Sequence, residues 1–147
     1  MQDEKSRVGS ELEVQTFLQD MICALDNRAE INFRIRRKVE NSRDEKYTNE
    51  YTISTLFPNE NPVDALRREL KNISLEDYIK TVKDLRFPLK GDMLEFGKVY
   101  NNQDVYIKVR VNFSEESGKY IVFVMSFHFA MMPFSKDDFP YKESEEQ

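Results

Sequence analysis

Four segments in the second half of the chain decide the fold: ISLEDYIKTVKD (73–84), LEFGKVYN (94–101), DVYIKVRVNF (104–113) and YIVFVMSFHFA (120–130). In the first, Ser74 followed three residues later by Asp77 is a helix-start signature. It predicts a short helix with Tyr78, Ile79 and Val82 on its apolar faces. The other three alternate apolar and polar residues, the period of half-buried strands. In 104–113, Val105, Ile107, Val109 and Val111 share one face, and Tyr106, Lys108, Arg110 and Asn112 share the other. In the last, Ser126 and His128 lie opposite Met125, Phe127 and Phe129. Asn101-Asn102 suits a two-residue hairpin turn because Asn tolerates positive φ, and residues 115–118 supply the next turn. The three strands therefore form an antiparallel meander.

Upstream, Ser10 with Glu13 has the spacing of a capping box, and Val14, Phe17, Leu18, Met21, Ile22 and Leu25 recur at helical spacing. A helix over about 11–26, ended near Asn27, is expected. Residues 31–39 alternate, with Ile31, Phe33, Ile35 and Val39 inward and Asn32, Arg34, Arg36 and Lys38 outward, which predicts a strand with a basic outer row. The polar run 41–50 reads as a mobile loop, and 51–56 as a short strand or extended segment. Asn61-Pro62 opens a helix to about Lys71 that buries Val63, Leu66 and Leu70. Residues 84–92, with Arg86, Pro88, Lys90 and Gly91, read as an irregular basic loop. The fold class is α+β: helices packed on one face of a mostly antiparallel sheet, with the other face partly open.

A chain of 147 residues has material for one hydrophobic core, so one domain over 1–141 is expected, followed by an acidic, disordered tail at 142–147. Eleven Phe and seven Tyr supply that core. The lone Cys23 has no intrachain disulfide partner, and no signal peptide or run of about 20 apolar residues is evident, so a soluble cytoplasmic protein without a membrane partner is expected. The net charge of −5 argues against a polyanionic partner. The acidic excess is concentrated in residues 136–147, however, and the body is close to neutral, so a local basic face must decide.

Few reaction classes survive inspection. One His and one Cys do not make a standard zinc site, and the carboxylates lack calcium-loop spacing. The four glycines are far apart, which excludes a phosphate-cradling loop. Ser126-Phe127-His128 is not a nucleophile elbow, so a hydrolase triad is not expected. What remains is a group of side chains on the meander. His128 comes near Tyr106, Lys108 or Glu95 according to register, with Lys80 and Arg86 closing the site from the preceding segments.

The ordered pieces D-Y-I-K (77–80), L-E-F-G-K (94–98), V-Y-I-K (105–108) and S-F-H (126–128) resemble the MqsR toxins of bacterial toxin–antitoxin systems. These are messenger-RNA interferases with a RelE-like α+β fold, and the resemblance covers about residues 70–130. It implies active-site roles for Lys80, Glu95, Tyr106 and His128, and a protein antitoxin as partner. Such a site needs no metal and no cofactor, because RNA carries its own nucleophile, the 2′-OH. The protein has to deprotonate it, stabilise the phosphorane charge and protonate the 5′-oxygen. An imidazole, titrating near about 6.5, serves as His128's acid or base function, with Glu95 as complement. Lys80, Lys108, Arg110 and Arg86 are candidates for phosphate, Arg34, Arg36 and Lys38 for a second RNA contact, and Tyr106 for stacking on a base.

Each residue also has a plainer reading. His128 at a strand end, Tyr106 and Lys108 on a strand face, and Glu95 paired with a neighbouring Lys are ordinary structural features, and a basic strand edge blocks aggregation. Phe127, Phe129, Phe134 and Phe139 read as core or a C-terminal clamp, and Met131-Met132 as packing filler. A second class of function fits these readings: a non-catalytic binding protein on the same scaffold, for instance an inhibitor encoded by a phage or mobile element, whose acidic groups engage a nucleic-acid-binding protein with a basic surface.

Overall fold

The computed structural model describes residues 4–36, 45–86 and 88–142. Among them the chain forms β1 (Glu4–Arg7), α1 (Glu11–Asp26), β2 (Glu30–Phe33), α2 (Asn49–Leu56), α3 (Pro62–Leu70), β3 (Tyr78–Asp84), β4 (Met93–Tyr100), β5 (Gln103–Ser114) and β6 (Lys119–Phe129). The strands make a six-stranded sheet in the order β1-β3-β4-β5-β6-β2. β2 runs parallel to β6, and the other pairings are antiparallel. The α+β expectation and the β4–β5–β6 meander therefore hold. No helix among the described residues is long and apolar enough to cross a membrane.

α1 begins where expected, since Ser10 accepts a hydrogen bond from the Glu13 amide. The box is only half closed, because the Glu13 carboxylate turns instead to Arg7 at 2.8 Å. The helix connects strands at opposite edges of the sheet. Its 16 residues span about 24 Å at 1.5 Å per residue, which matches five inter-strand spacings of about 4.8 Å. Val14, Leu18, Met21 and Leu25 bury its inner stripe against Phe96, Ile107, Val109, Val122 and Val124 of the sheet. From α3, capped by Asn61 and opened by Pro62, Leu66 and Leu70 join the same core, with Val63 half-buried.

Three expectations of secondary structure require correction. Residues 74–82 do not form a helix. The Ser74–Asp77 capping box exists, but it closes only a 3-10 turn at Leu75–Asp77, after which the chain enters β3. A bulge between Tyr78 and Lys80 hides the strand's period of two, because Tyr78 pairs with Phe96 while Lys80 pairs with Glu95. Residues 51–56 belong to helix α2 rather than to a strand. Thr48 caps it, and the β-branched content of TISTL yields to a tertiary demand. That demand is the open flank of β6 beyond the end of β2. Asn49 donates to the carbonyls of Arg34 and Met125 at 2.7 and 3.0 Å and accepts from the Phe127 amide at 3.0 Å, while Thr52 accepts from the Phe129 amide at 2.8 Å. Both side chains are buried, one helical turn apart. Lastly, the strand expected over 31–39 ends at Phe33, with a turn at 35–36.

The Asn101-Asn102 turn has positive φ at both residues, 51° and 65°, the requirement of a type I′ hairpin. The C-terminal segment straps the sheet. Phe134 packs on Gly97, where an added Cβ would lie 2.5 Å from its ring, and Phe139 packs edge-on against Phe134. Tyr141 then stacks on the buried Tyr78, and its hydroxyl donates to the Gly9 carbonyl at 2.6 Å. Phe127 and Phe129 are core, and Phe134 and Phe139 form the clamp. Met131 and Met132 are exposed and fill no gap. The tail residues 143–147 lie outside the described residues.

Candidate functional site

The two faces of the meander differ in chemistry. Val105, Ile107 and Val109 of β5 point to the helices and are fully buried. Tyr106, Lys108, Arg110 and Asn112 occupy the opposite face, as alternation requires. A second bulge aligns β6 with them. Val109 pairs with Val124 but Lys108 pairs with Ser126, so Met125 is an extra residue. Val122 and Val124 before it, and Phe127 and Phe129 after it, therefore all reach the core, and Ser126 and His128 are returned to the polar face.

Register then builds two adjacent rows. One runs Lys80–Glu95–Lys108–Ser126 across β3, β4, β5 and β6, and the next runs Gly97–Tyr106–His128. Lys108 Nζ lies 3.9 Å from Glu95 Oε2, and the rings of Tyr106 and His128 are 5.3 Å apart and tilted by 53°. The sheet thus brings Lys80, Glu95, Tyr106, Lys108 and His128 to one place. Lys80 reaches it from β3, not from a helix. Gly97, the one position in these rows without a side chain, is where Phe134 is admitted, so the strap borders the Tyr106–His128 row.

This face is also dry. Glu95 is 5 % exposed, Lys108 7 %, His128 6 % and Ser126 2 %. His128 Nδ1 lies 2.9 Å from the Phe129 carbonyl, which only accepts, so Nδ1 carries a proton. One row further on, Arg110 lies over the Phe123 ring at 4.8 Å and donates to Asn112 at 2.7 Å. Burial lowers its pKa, opposed by the charge of Asp84. Asp84 in turn is held below the usual carboxylate range by hydrogen bonds from Arg86.

The remaining candidates stand apart. Arg86 is exposed and bound to Asp84 at the edge of the face. Arg34 and Arg36 follow β2, on the far side of β6, exposed, with Arg36 3.5 Å from Glu50. They are not the outer row of a strand, because β2 has ended. Lys38 lies outside the described residues. Two groups escaped the sequence reading, Gly97 and the pair Asn49–Thr52. A glycine inside a strand signals close approach of another group, whereas nothing local marks Asn49 and Thr52 as braces for an edge 78 and 77 residues away.

No family model, no curated protein and no solved structure matches this chain significantly.

Proposed function

We propose that this chain is a metal-independent endoribonuclease of the messenger-RNA interferase type, acting on single-stranded RNA and neutralised by a protein antitoxin. The observation that carries this reading is the convergence, on one sheet face, of the Tyr106–His128 contact with the Lys80–Glu95–Lys108 row. The order of the D-Y-I-K, L-E-F-G-K, V-Y-I-K and S-F-H pieces, which resembles that of MqsR toxins, supports the same reading. On and beside this face the four cations Lys80, Lys108, Arg110 and Arg86 stand with the carboxylates Glu95, Asp84 and Asp104, so positive charge is available to an anion on a net acidic chain. Local charge of that sign is what a phosphate requires.

In the proposed reaction Glu95, a carboxylate beside Lys108, accepts the proton of the 2′-OH. The 2′-oxygen attacks the adjacent phosphorus, the bond to the 5′-oxygen breaks, and a 2′,3′-cyclic phosphate forms. Protonated His128 gives the Nε2 proton to the departing 5′-oxygen, while the Phe129 carbonyl holds its Nδ1–H. Lys80 and Lys108 offset the charge of the phosphorane. Tyr106, half-buried beside His128, supplies a stacking surface for a base.

The burial of Glu95, Lys108 and His128 and the net charge of −5 favour a second reading, a non-catalytic scaffold that engages a protein with a basic surface. Incubation with long single-stranded RNA in EDTA separates the two. The ribonuclease reading expects discrete fragments ending in cyclic phosphate, and a loss of about 100-fold or more in His128→Ala, with Tyr106→Ala also impaired. Intact RNA, free and ribosome-bound alike, with a folded protein would overturn it.

A further inference from the structure

A cleft of about 430 Å³ opens between α2 and the β4–β5 turn, within the size range of small-ligand sites. One bank carries Lys46, Tyr47 and Tyr51, and the other carries Asn102, Gln103 and Asp104. We infer that this cleft takes one nucleobase of a single-stranded RNA, held against tyrosine and read by the Asp104 carboxylate. The substrate class rests on the ribonuclease reading above, and the site is additional to the sheet face.

Position is the first support. The Ala130 amide donates to the Asp104 carbonyl at 2.8 Å, which continues the β5–β6 ladder two residues beyond Tyr106–His128. Ala130 and Phe129 both line the cleft. Two strand residues span about 6.6 Å, of the order of one nucleotide step, so a strand whose phosphate lies at the polar face delivers a neighbouring base here.

Chemistry is the second. Tyr51 contacts Phe129 edge-on at 6.2 Å and Lys46 lies 5.2 Å from the centre of the Tyr47 ring, which combines aromatic surface with a cation for a flanking phosphate. Asp104 is anchored, because its Oδ2 accepts from the Phe134 amide at 2.9 Å. A carboxylate has about four acceptor positions, so one bond fixes the group without exhausting it. An acceptor-only group beside an aromatic wall selects bases that donate. Adenine, cytosine and guanine present an exocyclic amino group. Uracil presents an imide N–H flanked by two carbonyl oxygens that a carboxylate repels.

The test is titration of the full chain with 5′-AMP, 5′-CMP, 5′-GMP and 5′-UMP, followed by amide NMR. Shifts at Asn102, Gln103, Asp104 and Ala130, weakest for UMP, are expected. Tyr51→Ala should weaken binding about fivefold or more. Asp104→Asn keeps an oxygen for the Phe134 amide and should move the preference toward UMP, a change that mere loss of stability would not produce. Absence of shifts at these amides with all four nucleotides, or an unchanged order in Asp104→Asn, would overturn the inference. A chain that binds a mononucleotide here and leaves RNA intact retains the cleft and loses the cleavage reading. One that cuts RNA without these shifts does the reverse.

Discussion

The two faces of the central sheet are chemically opposite, although the middle of each is buried. Behind β5, Val105, Ile107 and Val109 lie against α1 and its neighbours, and each fully buried aliphatic side chain stabilises by about 1.5–3 kcal/mol. In front, Glu95, Lys108, Ser126 and His128 are almost as inaccessible, and withdrawing charged groups from water costs free energy that an ion pair at best offsets. The contrast teaches that the front face contributes less to stability than the back, whatever role retains it. A sequence selected only to fold would place apolar residues at 95 and 108, as it does at 94, 96, 107 and 109.

The contrast can be broken most severely from behind. Phe127→Ala, which removes a fully buried ring packed against Tyr100, should cost about 3–5 kcal/mol in urea unfolding. From the front, Lys108→Met alone should cost about 3 kcal/mol, because it leaves a buried carboxylate without its ion pair. Asn49→Ala should cost about 2 kcal/mol through the unpaired Phe127 amide and Met125 carbonyl, and amide exchange at Phe127 should rise well before global unfolding. A smaller loss, about 1–2 kcal/mol, is expected for Gly97→Ala, whose Cβ would collide with the Phe134 ring. Its diagnostic is altered NMR signals along 134–141 with the core unchanged.

The smallest effect concerns pH. Hydrogen bonds from Arg86, Arg7 and Arg68 hold Asp84, Glu13 and Glu60 below the usual carboxylate range. A depressed folded-state pKa gives stability that is complete above the unfolded value near about 4 and fades as pH falls through the folded value. Asp84→Asn should therefore flatten the acid limb of the stability profile while leaving the slope between pH 6 and 8 unchanged. An unaltered limb would contradict the assignment.

α1, α3, the meander and the Asn101-Asn102 turn appear where patterning placed them, although the alternation over 31–39 carries a strand only as far as Phe33. Patterning misled where a bulge broke the period. The displaced Ile79 makes Tyr78, Ile79 and Val82 look helical, although β3 is a strand. α2 was illegible for another reason, since Asn49 and Thr52 answer to the open flank of β6 and not to their neighbours. Tyr106, Lys108 and His128 emerged as candidates because residues of one parity on adjacent strands must share a face, and Glu95 through the register, whereas Lys80 was expected on a helix and its active-site role came only through the resemblance. Their burial, and the strap that crosses Gly97, depend on distant segments that no local pattern encodes.

The measurement that tests the central claim most directly is the double substitution Glu95→Leu with Lys108→Met, scored for stability and for RNA cleavage or binding in the same preparation. If the front face is kept for function, the double variant should be as stable as the natural chain, or more so, while cleavage is lost and binding is reduced. A variant several kcal/mol less stable than the natural chain, or one that retains full activity, would show that the buried pair serves the fold, and the account of the two faces would be wrong.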